Sequence, residues 1–235
     1  MQKVHCEWGL NGIEALKREA AVVVIVDVLS FSTAVDVAVH RKARIHPFPY
    51  GDDDAARKEA ARVGARLAAS RRAGGQLSLS PASLTKLNPG ERLLLPSPNG
   101  SRLSLACDGV VVLAGCLRNA KAVAAKALKL AEGGDIAVIP AGERWPDGSL
   151  RPAIEDLIGA GAIIEAIGFD GEPEAVTARD AFRSAEPHLK QTLLWCRSGR
   201  ELVEREHELD VEIAAELNVS HCAPVLRNGA YEDGA

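Results

Sequence analysis

The chain has 235 residues, 47% of them hydrophobic and 26% charged, enough to bury one sizeable core in an ordinary globular protein. Aromatics are only 4%, so that core must be aliphatic. A formal charge of -4 disfavours nucleic acid as the main partner, because a phosphate backbone needs clustered Lys and Arg; a small polyanion stays open wherever arginines gather locally.

After an N-terminal stretch, residues 22–28 are apolar on both alternations, the pattern of a strand buried on both faces. The longest apolar run, residues 20–26, ends at Asp27 and is far too short to span a bilayer, so no membrane contact is expected. Residues 32–40 have Ala34, Val37 and Ala38 at helical spacing. Residues 45–48 read as a short strand, and Asp52 to Asp54 offer caps for an Ala-rich helix ending near Val63. Residues 66–69 suggest another strand and 71–75 an exposed loop, while 76–86 have no clear pattern. Short strands follow at 93–95, 110–114 and 136–139, each leading through a loop to a helix, at about 101–107, 120–131 and 153–167. Helices are expected at 176–185 and, as one or two pieces, within 198–217; from Arg227 the chain reads as a polar, mobile tail. The strand, loop, helix rhythm predicts an α/β protein, one domain over 1–235, with a mainly parallel or mixed sheet.

Cys6, Cys107, Cys116, Cys196 and Cys222 form no CxxC pair and read as packed thiols of a reduced, cytoplasmic protein. HExxH, GxGxxG and GxxxxGK[ST] are absent, and no CxxxxxR loop surrounds Cys6 or Cys116. The unusual polar residues cluster after strands instead. Asp27 closes the first, SPNGSR (97–102) and GCLRNA (115–120) follow two others, and AGERWPDGSLRP (141–152) follows a fourth. Open α/β sheets bind ligands at such places, and helix N-termini suit anions. An ionisable group within VVVIVDVL needs a partner or a metal to stay charged. Asn99-Gly100 reads equally as a hairpin turn or a ligand loop, and Asn119 as a helix cap or a ligand contact. Glu155 and Asp156 also suit the start of a helix dipole.

Taken in order, VVVIVDVLSFSTAV (22–35), LPSPNGSR (95–102), GCLRNAKAVA (115–124), IPAGERWPDGSLRPAIEDLIGAGAII (139–164) and SGRELVEREHELDVEIAAELN (198–218) resemble the ComB family of 2-phosphosulfolactate phosphatases. The resemblance implies a three-layer α/β/α fold and a Mg²⁺-dependent phosphatase that cleaves a small phosphorylated acid on the route to coenzyme M. Asp27, Asn99, Arg102 and Asn119 are the expected catalytic set. Ser30, Ser32, Thr33, Gly100, Ser101, Arg118 and Arg200 are expected to bind substrate, with weaker claims for Arg144 and Arg151. Metal ligands are expected among Asp27, Glu155 and Asp156, with Glu143 and Asp210 in reserve. One position departs from the family pattern, which is DVLRATTT-like: Ser30 stands where an arginine is usual. A serine cannot replace a bidentate anion clamp, which points to an ester of lower charge than phosphosulfolactate. Asp27 can act as a phosphoryl acceptor or beside a metal-bound water; Leu29 in place of a second Asp disfavours the first route. The competing readings are a phosphatase or phosphotransferase acting on another phosphorylated acid or sugar, and a non-catalytic anion-binding protein. A homodimer is the default assembly.

Overall fold

The computed structural model describes residues 2–71, 76–168 and 171–234. The strands are β1 (Val4–Cys6), β2 (Ala20–Val26), β3 (Arg44–Pro49), β4 (Arg66–Leu67), β5 (Arg92–Ser97), β6 (Val111–Gly115), β7 (Asp135–Pro140), β8 (Glu143–Arg144), β9 (Leu150–Arg151), β10 (Pro224–Arg227) and β11 (Ala230–Asp233). The helices are α1 (Gly9–Leu16), α2 (Phe31–His40), α3 (Asp53–Val63), α4 (Pro81–Leu84), α5 (Gly100–Ala106), α6 (Ala120–Ala131), α7 (Ile154–Ile167), α8 (Pro173–Ala185), α9 (Leu189–Trp195), α10 (Arg197–Val203) and α11 (Glu208–Ala214).

Among the described residues nine strands form one mixed sheet in the order β1-β7-β2-β6-β10-β11-β3-β5-β4. The sets β1-β7-β2-β6 and β3-β5-β4 are each parallel internally. Between them lies the antiparallel pair β10-β11, paired antiparallel to β6 on one side and β3 on the other. Three reversals in a row leave β5 running opposite to β2.

The expectation for residues 22–28 is met by β2, whose Val22 to Val26 are wholly buried. Val22, Val24 and Val26 belong to one core, with α6 to α11; Val23 and Ile25 belong to the other, with α1, α2 and α5. A strand serving two cores has no polar face, hence its unbroken apolar run. Full burial of each such side chain is worth about 1.5–3 kcal/mol. The layers are therefore helix, sheet, helix, as the resemblance implied. Glycine lets the layers close: a Cβ at Gly161 would stand 2.0 Å from the Ala178 carbonyl oxygen, where α7 crosses α8.

Two sequence expectations fail here. The chain from Arg227 is not a mobile tail; residues 224–233 form the hairpin that joins the two parallel sets, with Tyr231 wholly buried and its hydroxyl 2.7 Å from Ser104 Oγ. Nor is Asn99-Gly100 a hairpin turn. β5 is a parallel strand, and Gly100 opens α5. Within 76–86, Ser80 caps α4 by accepting from Ser83 N–H. Of the loop expected at 71–75, residues 72–75 lie outside the described residues.

Candidate active site

The chain leaves β2 into a turn that Asp27 organises. Asp27 Oδ1 accepts from Phe31 N–H at 3.1 Å, and Oδ2 accepts from Gly100 N–H at 2.8 Å. One carboxylate thus ties the start of α2 to the start of α5, from opposite halves of the sheet. Ser32 Oγ accepts from Asp27 N–H and donates to Ile25 O, while Thr33 donates to Val28 O. Both hydroxyls hydrogen-bond within the turn. The Leu29–Ser30 peptide in this turn is cis.

Asp156, in the first turn of α7, makes a second tie. Its Oδ1 accepts from Val28 N–H at 2.7 Å and its Oδ2 from Gly142 N–H at 2.9 Å, joining the loops that follow β2 and β7. Its neighbour Glu155 is also buried, and Glu155 Oε2 has no hydrogen-bond partner. Glu143 Oε2 accepts from Asn99 Nδ2 at 2.9 Å and faces Arg151 across the β8-β9 ribbon.

These carboxyls strain one another's ionisation. Burial pushes Asp27 above the usual range, against the pull of the Phe31 and Gly100 N–H groups and the Arg71 charge. Burial and the charges of Asp27, Glu155 and Glu143 push Asp156 well above it. Burial and the Asp27 charge bring Glu143 to about 7, against the bond from Asn99. Such a mutually raised set is a signature of functional sites. A cavity of about 330 Å³ opens beside it, lined by Asn99, Arg102 and Glu143 with Trp8, Asn11 and Leu150.

The donor set can be tested against a divalent cation. A buried carboxylate oxygen without a partner and like charges close together are what a cation relieves. Among the described residues no group of three or more His, Cys, Asp or Glu side chains is placed to hold a metal ion. Mg²⁺ usually takes only one or two carboxylates from a protein, its other ligands being water and substrate phosphate.

The structure joins Asp27, Ser30, Asn99, Gly100, Glu143 and Asp156 through one hydrogen-bonded set of loops, and Glu155 adjoins Asp156 on α7. Other expected residues fall elsewhere. Ser101 donates to Leu95 O. Asn119 stands at the N-cap of α6, but its side chain makes no cap bond: its Oδ1 accepts from Cys116 N–H at 2.8 Å and its Nδ2 donates to Ala114 O, shaping the turn after β6. Arg118 is held by Asp36 at 2.9 Å and by Glu216. Arg200 is exposed on α10; Arg102, by contrast, does meet the set, exposed on the wall of the cavity that Asn99 and Glu143 also line. Arg144 bonds Gly148 O on the surface, whereas Arg151 is buried against Ser198 Oγ at 3.0 Å. Asp210 Oδ1 accepts from Ser80 Oγ at 2.6 Å and from Ala82 N–H. Burial pushes Cys116 up to about 12, which leaves no thiolate nucleophile there.

Sequence reasoning missed Arg71, taken there as part of an exposed loop. Its side chain is 21% exposed, and Nη2 donates to Ser30 Oγ and, at 3.0 Å, to Leu79 O. The guanidinium that position 30 lacks is thus brought to position 30 from another loop. No local pattern could have revealed it, since the approach is made through tertiary packing.

Fold and site together define an open-sheet α/β/α protein whose polar groups gather beyond the ends of its strands, the usual place for a ligand in this class. A model of the 2-phosphosulpholactate phosphatase family matches residues 11–229, and the chain belongs to that family. It is 31% identical over 216 residues, 89% of this chain and 88% of the other, to the 2-phosphosulfolactate phosphatase of Methanothermobacter thermautotrophicus. A probable 2-phosphosulfolactate phosphatase of Carboxydothermus hydrogenoformans is 29% identical over 221 residues, 90% of this chain and 89% of the other.

Proposed function

We propose that the chain hydrolyses the phosphate monoester of a small acidic metabolite, with 2-phosphosulfolactate the first candidate and sulfolactate plus phosphate the products. The observation that carries this reading is that the family match contains the whole acidic site, from Asp27 to Asp156. Substitution of the usual arginine by Ser30 no longer argues for a less charged ester, because Arg71 brings a guanidinium to the same hydroxyl. Such an enzyme would supply a step toward coenzyme M in a cell that makes it. Among the described residues no helix is long and apolar enough to cross a membrane.

Hydrolysis transfers the phosphoryl group to water: a water oxygen bonds to phosphorus, the ester P–O bond breaks, and a proton reaches the leaving alkoxide. Phosphoryl transfer is catalysed chiefly by positioning and charge neutralisation. Four acidic side chains at the site, Asp27, Glu143, Glu155 and Asp156, would repel a phosphate dianion unless cations intervene. Mg²⁺ held by Asp27 and by Glu155 or Asp156 would neutralise the phosphoryl oxygens. Asp27 lies between two backbone donors and is fixed for that task. Glu143 lines the cavity and ionises near neutrality, so it is placed to hand a proton to the leaving oxygen.

The test is phosphate release from a panel of phosphorylated small acids, sugars and alcohols, with and without Mg²⁺, by wild type and Asp27→Asn. Mg²⁺-supported release from an acidic ester, abolished in a folded Asp27→Asn, supports the reading. Release by Asp27→Asn at the wild-type rate, or none from any ester, overturns it.

A further inference from the structure

Resting on that reading, we propose that Arg71 is a substrate-binding residue whose guanidinium receives an oxyanion of the phosphorylated ligand. Arg71 lies beyond β4, in a segment joined to its return by a bridge between Ala69 and Ser78. The neighbouring groups account for only part of its hydrogen-bonding capacity. Nη2 is used by Ser30 Oγ and Leu79 O, and Asp210 Oδ2 lies 3.8 Å away. Nε is buried with no hydrogen-bond partner, and so is Asp210 Oδ2. A buried guanidinium N–H left open is costly, and such an orphan calls for a missing acceptor.

Position supplies the rest. Ser30 immediately precedes Phe31, whose N–H holds Asp27, so Arg71 reaches the site one residue from the anchor of its central carboxylate. The charges of Asp210, Asp27 and Glu143 all act on the Arg71 guanidinium. Arg118 is engaged by two carboxylates and Arg151 by Ser198, while Arg102 is exposed on the cavity wall. Arg71 is a largely buried cation that bonds the Asp27 turn itself and has a donor to spare. A planar fork suits a phosphoryl or carboxylate group better than a point charge does.

The test is the inhibition constant of inorganic phosphate and the KM of a turned-over phosphate ester, in Mg²⁺, for wild type, Arg71→Gln and Arg71→Lys. Arg71→Gln should weaken both about 10- to 100-fold, the weight of a charged hydrogen bond, and Arg71→Lys should fall between. A folded Arg71→Gln with wild-type phosphate affinity overturns the assignment, as does one that loses kcat alone. If Arg71→Gln does not fold, Arg71→Lys decides: weaker phosphate binding supports the role, and unchanged binding refutes it. A wild type that hydrolyses ester while both variants bind phosphate normally sinks this inference alone. A wild type with no turnover and no phosphate affinity sinks the proposed function, and this inference with it.

Discussion

Asp156 gives the sharpest test of how the site is held. Its two oxygens accept from Val28 N–H at 2.7 Å and Gly142 N–H at 2.9 Å, and both donors are buried. Asp156→Ala orphans both, at about 1–3 kcal/mol each, so the expected loss is about 2–6 kcal/mol. Removing a charge from among Asp27, Glu155 and Glu143 offsets part of that, which places the outcome in the lower half of the range. Asp156→Asn keeps one acceptor and should lose less. The pH dependence has a definite sign. Burial and neighbouring charges raise the folded-state carboxyl well above its ordinary value, so the native state binds the proton more tightly than the unfolded chain. Stability then rises as pH falls through the raised folded-state value toward the ordinary carboxylate range, and is lost as pH climbs back through the folded value. Denaturant unfolding in the presence of a chelator measures both effects. The slope should flatten in Asp156→Asn without vanishing, because Asp27 and Glu143 are raised too. An Asp156→Ala cost below about 1 kcal/mol, or an Asp156→Asn slope equal to wild type, would refute the clamp.

Gly100→Ala places a Cβ 2.2 Å from the Phe31 ring and shifts the N–H that holds Asp27. It should cost about 1–3 kcal/mol and most of the phosphate release, read by thermal unfolding and by turnover; full activity would show that the Gly100–Asp27 bond is dispensable. Truncation after Ala223 removes β10 and β11 from between β6 and β3. The shortened chain should lose its cooperative unfolding transition, and a truncated chain with wild-type melting would mean that the parallel sets stand without the hairpin.

Two of the three Asn-Gly pairs, Asn11-Gly12 lying inside α1, show where sequence reading holds and where it fails. At Asn228-Gly229 both residues have positive φ, 50° and 77°, and make the tight turn between β10 and β11. That is the geometry an Asn-Gly pair favours, yet the four-residue strands beside it were too short and polar to register as sheet. At Asn99-Gly100 the same dipeptide starts a helix. Asn99 has φ -109° there, and Gly100 is required because the Phe31 ring leaves no room for a side chain. The dipeptide alone does not decide; Pro96 and Pro98 beside it take away donors that a hairpin ladder needs.

The acidic side of the site was legible for a related reason. A carboxyl at the end of a doubly buried strand stands out because its setting is costly for a charge. Asp27 was visible on those grounds; Glu155 and Asp156 suited a helix start equally well and stood out only as metal-ligand candidates. The basic side was not. Arginines are common on surfaces, and nothing near Arg118 or Arg200 in sequence separates an ion pair or a solvated side chain from a ligand contact. Arg71 acquires its place only when β4 aligns with β5 and Leu79 and Ser80, ahead of α4, pack against Arg71 and Asp210. The Asp27 carboxylate is written into its own strand, whereas the cation that reaches the same turn is set by how distant segments pack. On the proposed reading, a substitution at position 30 is open to compensation from another loop, while one at Asp27 is not.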